Sequence, residues 1–463
     1  MFHRLWQRRR YGWMLVALAV PLFAMVAPPM EGLSQPGQIA LGVFAMAAIL
    51  WVSGALPLAV TGLMILASLP FFGALDSQRA YALFGNPAVF FILGALVLAA
   101  ALMTTGLSRR VSLFLLWRFG GSARQLALGI LVSCALLSWF MPEHAVAAIV
   151  FPTVATITQA LELQPRSSRL AILLYLSMAW GCITGGIATL LGGARAALAI
   201  GILTETSGHS LSFTEYSLAA APVSLVLTLV AGVLLQLCFK PEIKDVSVAR
   251  ERLREQVREA GRWSKNEVRA AVIAALAITS WILFGHSVGL ATLALLCASA
   301  LFAVNVVTWA EVEQSVNWGV FLLYGGAIAL GTSLTETGAT QWVAEAVPSV
   351  LPASPTLALV AFGAIAFVLT EFVSNAATVA VLLPLALSVS PAYGLDPRLV
   401  TVAIAVPAGL AFTLPVGTPP STIAFSSGYY DVPTVLVPGL VMTLCSLVVF
   451  AIACSLLWPL LPW

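Results

Sequence analysis

The chain has 463 residues, of which 60% are hydrophobic and only 9% charged. A soluble domain carries about 25% charged residues, so the composition excludes an ordinary soluble enzyme or binding module and points to an all-α polytopic membrane protein. The formal net charge of +3 is accounted for by basic loops between spans, and nothing in it calls for a nucleic-acid partner.

In chain order, apolar stretches of about 20 residues, enough to cross a bilayer, begin near Gly12, Gln38, Leu56, Pro87, Arg169, Tyr216, Arg269, Gly289, Trp318, Leu399 and Pro433. They predict about eleven transmembrane helices. The stretches 124–163 and 354–391 are apolar but divided by polar residues and proline, and read as two re-entrant hairpins. The first apolar run lacks a small-residue cleavage site and reads as an uncleaved span.

Charge placement orients these spans. Arg4, Arg8, Arg9 and Arg10 precede the first, and nine of the 22 Lys and Arg residues fall between Lys240 and Arg269. The positive-inside rule places both regions in the cytoplasm, with six spans between them. The segment from Glu205 to Glu215 has acids and a histidine but no Lys or Arg, as an outside loop would. Five further spans leave Trp463 outside, so the expectation is a multi-pass protein of the cell (inner) membrane with a cytoplasmic N-terminus.

The linker 240–268 is the one strongly polar stretch. Arg250, Arg254, Arg258 and Arg262 recur every fourth residue, and Glu251, Glu255 and Glu259 each lie three residues before an arginine, a pattern suited to a solvated helix laced with ion pairs. Six cysteines, Cys134, Cys182, Cys238, Cys297, Cys445 and Cys454, stand singly without metal-like spacing and read as packing residues. No P-loop or Ser-His-Asp order is visible, which argues against an ATPase and against an enzyme.

The two halves echo one another. Asn86-Pro87-Ala88-Val89-Phe90-Phe91 matches Asn317-Trp318-Gly319-Val320-Phe321-Leu322, and Pro142-Glu143-His144 matches Ser374-Asn375-Ala376. Gly186-Ile187-Ala188-Thr189 answers Pro415-Val416-Gly417-Thr418. By the span count the first hairpin opens from inside and the second from outside, so the repeats are inverted and a site is expected between them at the midplane. The expected division is 1–85 as N-terminal scaffold helices, 86–239 as first repeat, 240–268 as cytoplasmic linker, 269–316 as further scaffold and 317–463 as second repeat.

The second half carries the chemistry. Ser374 and Asn375 put a hydroxyl and a carboxamide at a hairpin tip, where the positive end of a half-helix faces anions. Freed carbonyls around Thr370, Val373 and Gly417 suit a hard cation without any carboxylate. Glu371 reads as a partner for freed backbone N–H groups.

The string Ser374-Asn375-Ala376-Ala377-Thr378, followed by Leu414-Pro415-Val416-Gly417-Thr418-Pro419-Pro420 and Ser426-Ser427-Gly428, resembles the divalent anion/sodium symporters, also called sodium-sulfate and dicarboxylate symporters. The resemblance covers nearly the whole chain. It implies a homodimer in membrane lipid, a scaffold domain, and a transport domain that moves as an elevator. It also implies a small anionic substrate, a di- or tricarboxylate or else sulfate. Residues 370, 373, 375 and 417 match the family's second sodium site, and Ser374, Asn375, Thr418 and Pro419 match its substrate contacts. Ala376 stands where the family has threonine.

The first half departs from that pattern. Pro142-Glu143-His144 replaces the family's Ser-Asn-Thr, and Gly192-Gly193-Ala194-Arg195-Ala196 replaces its Gly-Thr-x-Pro-Asn. The first sodium site, as the family builds it, is expected to be missing, leaving one Na⁺. Charged residues at membrane depth pair and serve function, which makes Glu143, His144 and Arg195 candidate substrate-site residues. Three roles stay open. Protonated His144 stands in for the missing cation, with H⁺ as a coupling ion; Arg195 reaches the substrate through its fork; or all three form a static network.

Overall fold

Helix starts are fixed by side chains that satisfy the first N–H groups, which have no partner within the helix. Ser34, Asn86 and Asp431 cap helices in this way, and Ser212, Ser264 and Thr308 form reciprocal capping boxes with a glutamate three residues on. The structure is a computed structural model that describes residues 2–119, 121–346, 352, 354–461 and 463, and among them there are helices and no strands.

The first helix, α1 (Phe2–Val26), packs on α2 (Gln35–Ser53). There follow α3 (Leu58–Phe71), α4 (Ser77–Ala82), α5 (Pro87–Thr104), α6 (Leu107–Arg118), α7 (Ala123–Leu137), α8 (Glu143–Ala160), α9 (Arg169–Gly186), α10 (Ala194–Ser207) and α11 (Phe213–Cys238). The linker holds α12 (Ser247–Glu259). The second half contains α13 (Lys265–Val288), α14 (Leu290–Ala303), α15 (Trp309–Ser315), α16 (Trp318–Glu336), α17 (Ala339–Ala346), α18 (Pro355–Phe372), α19 (Asn375–Val389), α20 (Pro397–Ala405), α21 (Pro419–Phe425) and α22 (Val432–Ile452).

This order repeats itself. The starts of α3 and α14 (58 and 290), of α7 and α18 (123 and 355) and of α8 and α19 (143 and 375) are each 232 residues apart. The recurrence runs from α2 and α13 onward, earlier than the sequence echoes at 86 and 317. The halves are also interlocked, because α3 packs on α16 of the second half while α14 packs on α5 of the first. Both crossings are made by small residues. A Cβ at Gly326 would overlap the backbone of Gly62, and one at Gly94 would lie 2.7 Å from Ala294. Gly62 and Ala294 are 232 apart, as are Gly94 and Gly326, so the two crossings share one register. Small residues allow this approach where lipid supplies no hydrophobic drive.

Eight helices among the described residues are long and apolar enough to cross a membrane. Six of them (α2, α5, α11, α13, α16 and α22) coincide with expected spans, and the other two, α18 and α19, are the arms of the stretch read as a hairpin. Of the other expected spans, α1 has 25 residues, and α3, α9, α14 and α20 are shorter apolar helices. In α9 every residue from Leu170 to Gly186 is buried, and the non-helical backbone that follows lies inside protein, where it is tolerated.

Polar contacts between distant parts of the chain fall into two groups. One group joins Arg10 to the Ala55 carbonyl (2.9 Å), Arg110 to Glu267 (2.7 Å), Ser168 to Glu242, and Arg269 to the Val304 carbonyl (3.0 Å). The other joins Ser34 to the Thr337 carbonyl (3.0 Å) and Arg79 to Glu336 (2.9 Å) and Glu205 (3.5 Å). Helices α2 and α5 each begin in the second group and end in the first. Glu205 is not in a loop, as the sequence suggested: it lies in α10, where its carboxylate also accepts from Asn86 Nδ2 at 2.9 Å. Cysteine labelling in sealed cells is expected to place Arg262 on the cytoplasmic face and Glu205 on the opposite one. Labelling of both from one side would break the alternation.

Helix α12 forms where the charge pattern puts it, with ion pairs Arg254–Glu251 (3.4 Å) and Arg252–Glu255 (3.0 Å). It is not wholly solvated, because Ala249 and Leu253 are buried where it meets α6 and α8. All six cysteines are free thiols, of which Cys134, Cys182 and Cys454 are buried.

Candidate functional site

The α7–α8 and α18–α19 turns meet. Glu143 opens α8 and Asn375 opens α19, at equivalent positions of the two halves, and Asn375 Nδ2 donates to Glu143 Oε1 at 3.1 Å. Both residues are buried. The other carboxylate oxygen, Oε2, lies 3.3 Å from Nη1 of Arg195, in the first turn of α10, and the two side chains are 5% and 1% exposed. The Glu143 N–H donates to the Gly192 carbonyl at 2.9 Å, which ties this tip to the break between α9 and α10.

Glycines make room for this ion pair. A Cβ at Gly186 would overlap the Glu143 carboxylate, and one at Gly193 or Gly409 would overlap the Arg195 guanidinium. Sequence reasoning named Gly193 beside Arg195 without giving it a role and did not single out Gly409. The paired Gly192-Gly193 beside a lone membrane arginine was the available signal for the first of them.

Nη1 of Arg195 has Glu143 as its partner, and among the described residues Nε and Nη2 are buried without one. These two nitrogens form one edge of the guanidinium, the fork that matches the two oxygens of a carboxylate or sulfate.

On the second-half side, Thr370 Oγ1 lies 2.9 Å from Asn375 Oδ1 and 2.6 Å from the Ala408 carbonyl. Gly417 stands against the same turn, since a Cβ there would be 3.3 Å from the Thr370 carbonyl oxygen. Val373, the last of the four residues matched to a sodium site, is the extended residue that ends α18. The set is rich in neutral oxygen acceptors, the ligand type that hard cations take. Among the described residues no three His, Cys, Asp or Glu side chains gather into a metal cluster.

Glu371 takes the role read from its sequence position. Its carboxylate accepts from the N–H groups of Phe412 (2.9 Å), Thr413 (3.0 Å) and Leu414 (3.0 Å), fastening the non-helical backbone before Gly417 to the end of α18. That backbone has no helical partners of its own and would be costly to leave unpaired in an apolar setting.

The remaining candidates are less tightly joined. Ser374 caps α19, its Oγ accepting from the Ala377 N–H at 3.3 Å. Thr418 is buried and caps α21, bonding to Ser421 Oγ at 3.0 Å, and Pro419 beside it is exposed. His144 is half-buried and has no hydrogen-bond or ion-pair partner among the described residues. Glu143 and Arg195 therefore form an ion pair that Asn375 joins through Glu143, and His144 makes no bond to it among the described residues.

Comparison with solved structures agrees on the fold. The YdaH transporter of Alcanivorax borkumensis superposes with a TM-score of 0.58 at 14% identity, covering 84% of this chain and 90% of that one. MtrF of Neisseria gonorrhoeae gives 0.60 at 13% identity, over 94% and 97%. Among curated proteins, the sodium-dependent dicarboxylate transporter SdcS of Staphylococcus saprophyticus is 28% identical over 93% of this chain and 88% of its own length. SdcS of Staphylococcus aureus is 27% identical over the same shares. The model of the sodium:sulfate symporter transmembrane region matches residues 9–463. With that match over almost its whole length, the chain belongs to the sodium:sulfate symporter family, and it is a transporter, not an enzyme.

Proposed function

We propose that the chain is a secondary active transporter that carries a di- or tricarboxylate across the cell membrane, coupled to Na⁺ at a single site. The observation that carries this reading is the contact of the two hairpin tips, which sets a cluster of neutral oxygens beside a buried arginine with a free fork. Asn375 Oδ1, Thr370, Val373 and Gly417 hold the cation, and the positive end of α19 with Ser374, Thr418 and Pro419 faces the anion. Arg195 adds a fixed positive charge with bidentate geometry, and Glu143 balances it. His144 lies in the second position of α8, at the rim of the same tip. The names of the SdcS relatives favour a carboxylate over sulfate.

In this reading the two halves are inverted repeats, 354–391 and its first-half counterpart are re-entrant hairpins, and the protein works as a homodimer by an elevator motion. The N-terminus is cytoplasmic and the C-terminus outside. Glu205 on α10 then bridges the moving domain to Arg79 on α4 of the scaffold.

The test is uptake into liposomes by purified protein. Labelled succinate is expected to accumulate under an inward Na⁺ gradient, with a Hill coefficient for Na⁺ of about one, and unlabelled sulfate is expected to compete poorly. Accumulation driven by a proton gradient with no response to Na⁺ would reject the sodium site. Downhill flux without accumulation would make the protein a channel.

A further inference from the structure

We infer that Glu143 is a positioning residue for the cation site of the opposite half: it fixes the Asn375 carboxamide with its oxygen, and not its nitrogen, turned toward Thr370. The inference rests on the sodium-site reading above and adds a residue to it from the first repeat.

The argument starts from which atoms can donate. A carboxylate paired with a guanidinium accepts hydrogen bonds only. Facing Glu143 Oε1 at 3.1 Å, the carboxamide must present its nitrogen, because the reverse orientation would set oxygen against oxygen. Arg195 holds the other carboxylate oxygen, and the backbone N–H of Glu143 is tied to Gly192, so the acceptor does not swing away. Oδ1 of Asn375 is thereby aimed at Thr370 Oγ1, 2.9 Å away.

Thr370 has one hydroxyl proton and two oxygens within reach. The shorter contact, 2.6 Å to the Ala408 carbonyl, takes the proton. Oδ1 and Oγ1 are then neighbouring acceptors with no hydrogen between them, an arrangement that a cation resolves. If the amide were reversed, its NH₂ group would donate to Thr370 Oγ1 and close the seat. The charge distribution of the first half therefore decides whether the second half presents a ligand or a donor.

Replacing Glu143 by glutamine removes that choice, since a carboxamide at 143 can donate or accept. The reversed amide at 375 then becomes populated, and apparent cation affinity falls in proportion to the fraction lost. The experiment is a NaCl titration of the unfolding midpoint of the purified full-length chain without anionic substrate, with choline chloride as control, since ligand binding to the folded state raises the midpoint.

Wild type is expected to show a Na⁺-dependent rise, and Glu143→Gln to need about tenfold more Na⁺ for the same rise. The double variant Glu143→Gln/Asn375→Asp exchanges donor and acceptor while conserving charge. A carboxylate at 375 presents oxygen in either orientation, so the double variant is expected to recover most of the Na⁺ response. An unchanged Na⁺ requirement in Glu143→Gln overturns the inference. So does a weakened requirement that the exchange fails to restore, which would mark a general structural loss. Absence of any Na⁺ response in wild type overturns the cation-site reading itself, and this inference with it. Chromatographic profile and midpoint without Na⁺ separate misfolding from each of these results.

Discussion

Replacing Asn375 with alanine is expected to abolish Na⁺-driven uptake while expression and solubility stay normal. The residue joins the α7–α8 and α18–α19 turns through its bond to Glu143 at 3.1 Å and turns its oxygen to Thr370. Hydrogen bonds to charged groups are worth about 1.5–3 kcal/mol, and every 1.4 kcal/mol corresponds to about a tenfold change in binding. Losing that bond and a cation ligand together predicts uptake below about one hundredth of wild type. The substitution removes side-chain atoms without adding bulk, and α19 keeps its Ser374 cap, so the fold is expected to survive. Initial rates in liposomes at saturating Na⁺ provide the check. Rates near wild type would remove Asn375 from the site.

Arg195→Ala is expected to have the larger effect on stability as well as abolishing transport. The guanidinium is almost fully enclosed, and its removal leaves the Glu143 carboxylate, 5% exposed, without its counter-charge. Breaking a buried pair by deleting one partner costs about 3–5 kcal/mol, because the remaining charge is uncompensated. Thermal unfolding in detergent is expected to shift clearly downward. Adding Glu143→Gln to Arg195→Ala removes the stranded charge and is expected to recover much of the midpoint without recovering uptake. That split separates the part of Arg195 that holds the fold from the part that meets the anion. Recovery of uptake along with stability would show that the arginine is purely structural.

Arg195→Lys is informative for the same reason. A lysine keeps the charge and can still pair with Glu143, but it has no planar fork for a carboxylate. Stability close to wild type with weak succinate uptake would assign the fork, not the charge, to the substrate.

The sequence by itself determined the class of this protein, most helix starts and the position of the second-half motif. Hydropathy and charge asymmetry report directly on burial in lipid, and capping residues act on N–H groups two or three positions away. These are local signals. The 232-residue echo was also legible, since equivalent elements of the two halves carry similar strings. Among the described residues α3, α9, α14 and α20 are apolar helices shorter than the expected spans, and α9 is sheathed by protein along its length. A hydropathy window cannot tell a lipid-facing helix from a buried one.

The tertiary structure decided which candidates meet. Glu143 and His144 are adjacent in sequence, yet successive residues of an α-helix point about 100° apart. Glu143 bonds to Arg195 and Asn375, while His144 has no hydrogen-bond or ion-pair partner among the described residues. The pairing of Glu143 with Asn375 closes a loop of 232 residues, and the glycine cradle of Arg195 draws Gly193 and Gly409 from opposite halves of the chain. Such contacts depend on how the interlocked crossings of α3 with α16 and α5 with α14 set the two halves against each other. That packing is fixed by three-dimensional fit between small residues distant in the chain, which no local pattern encodes.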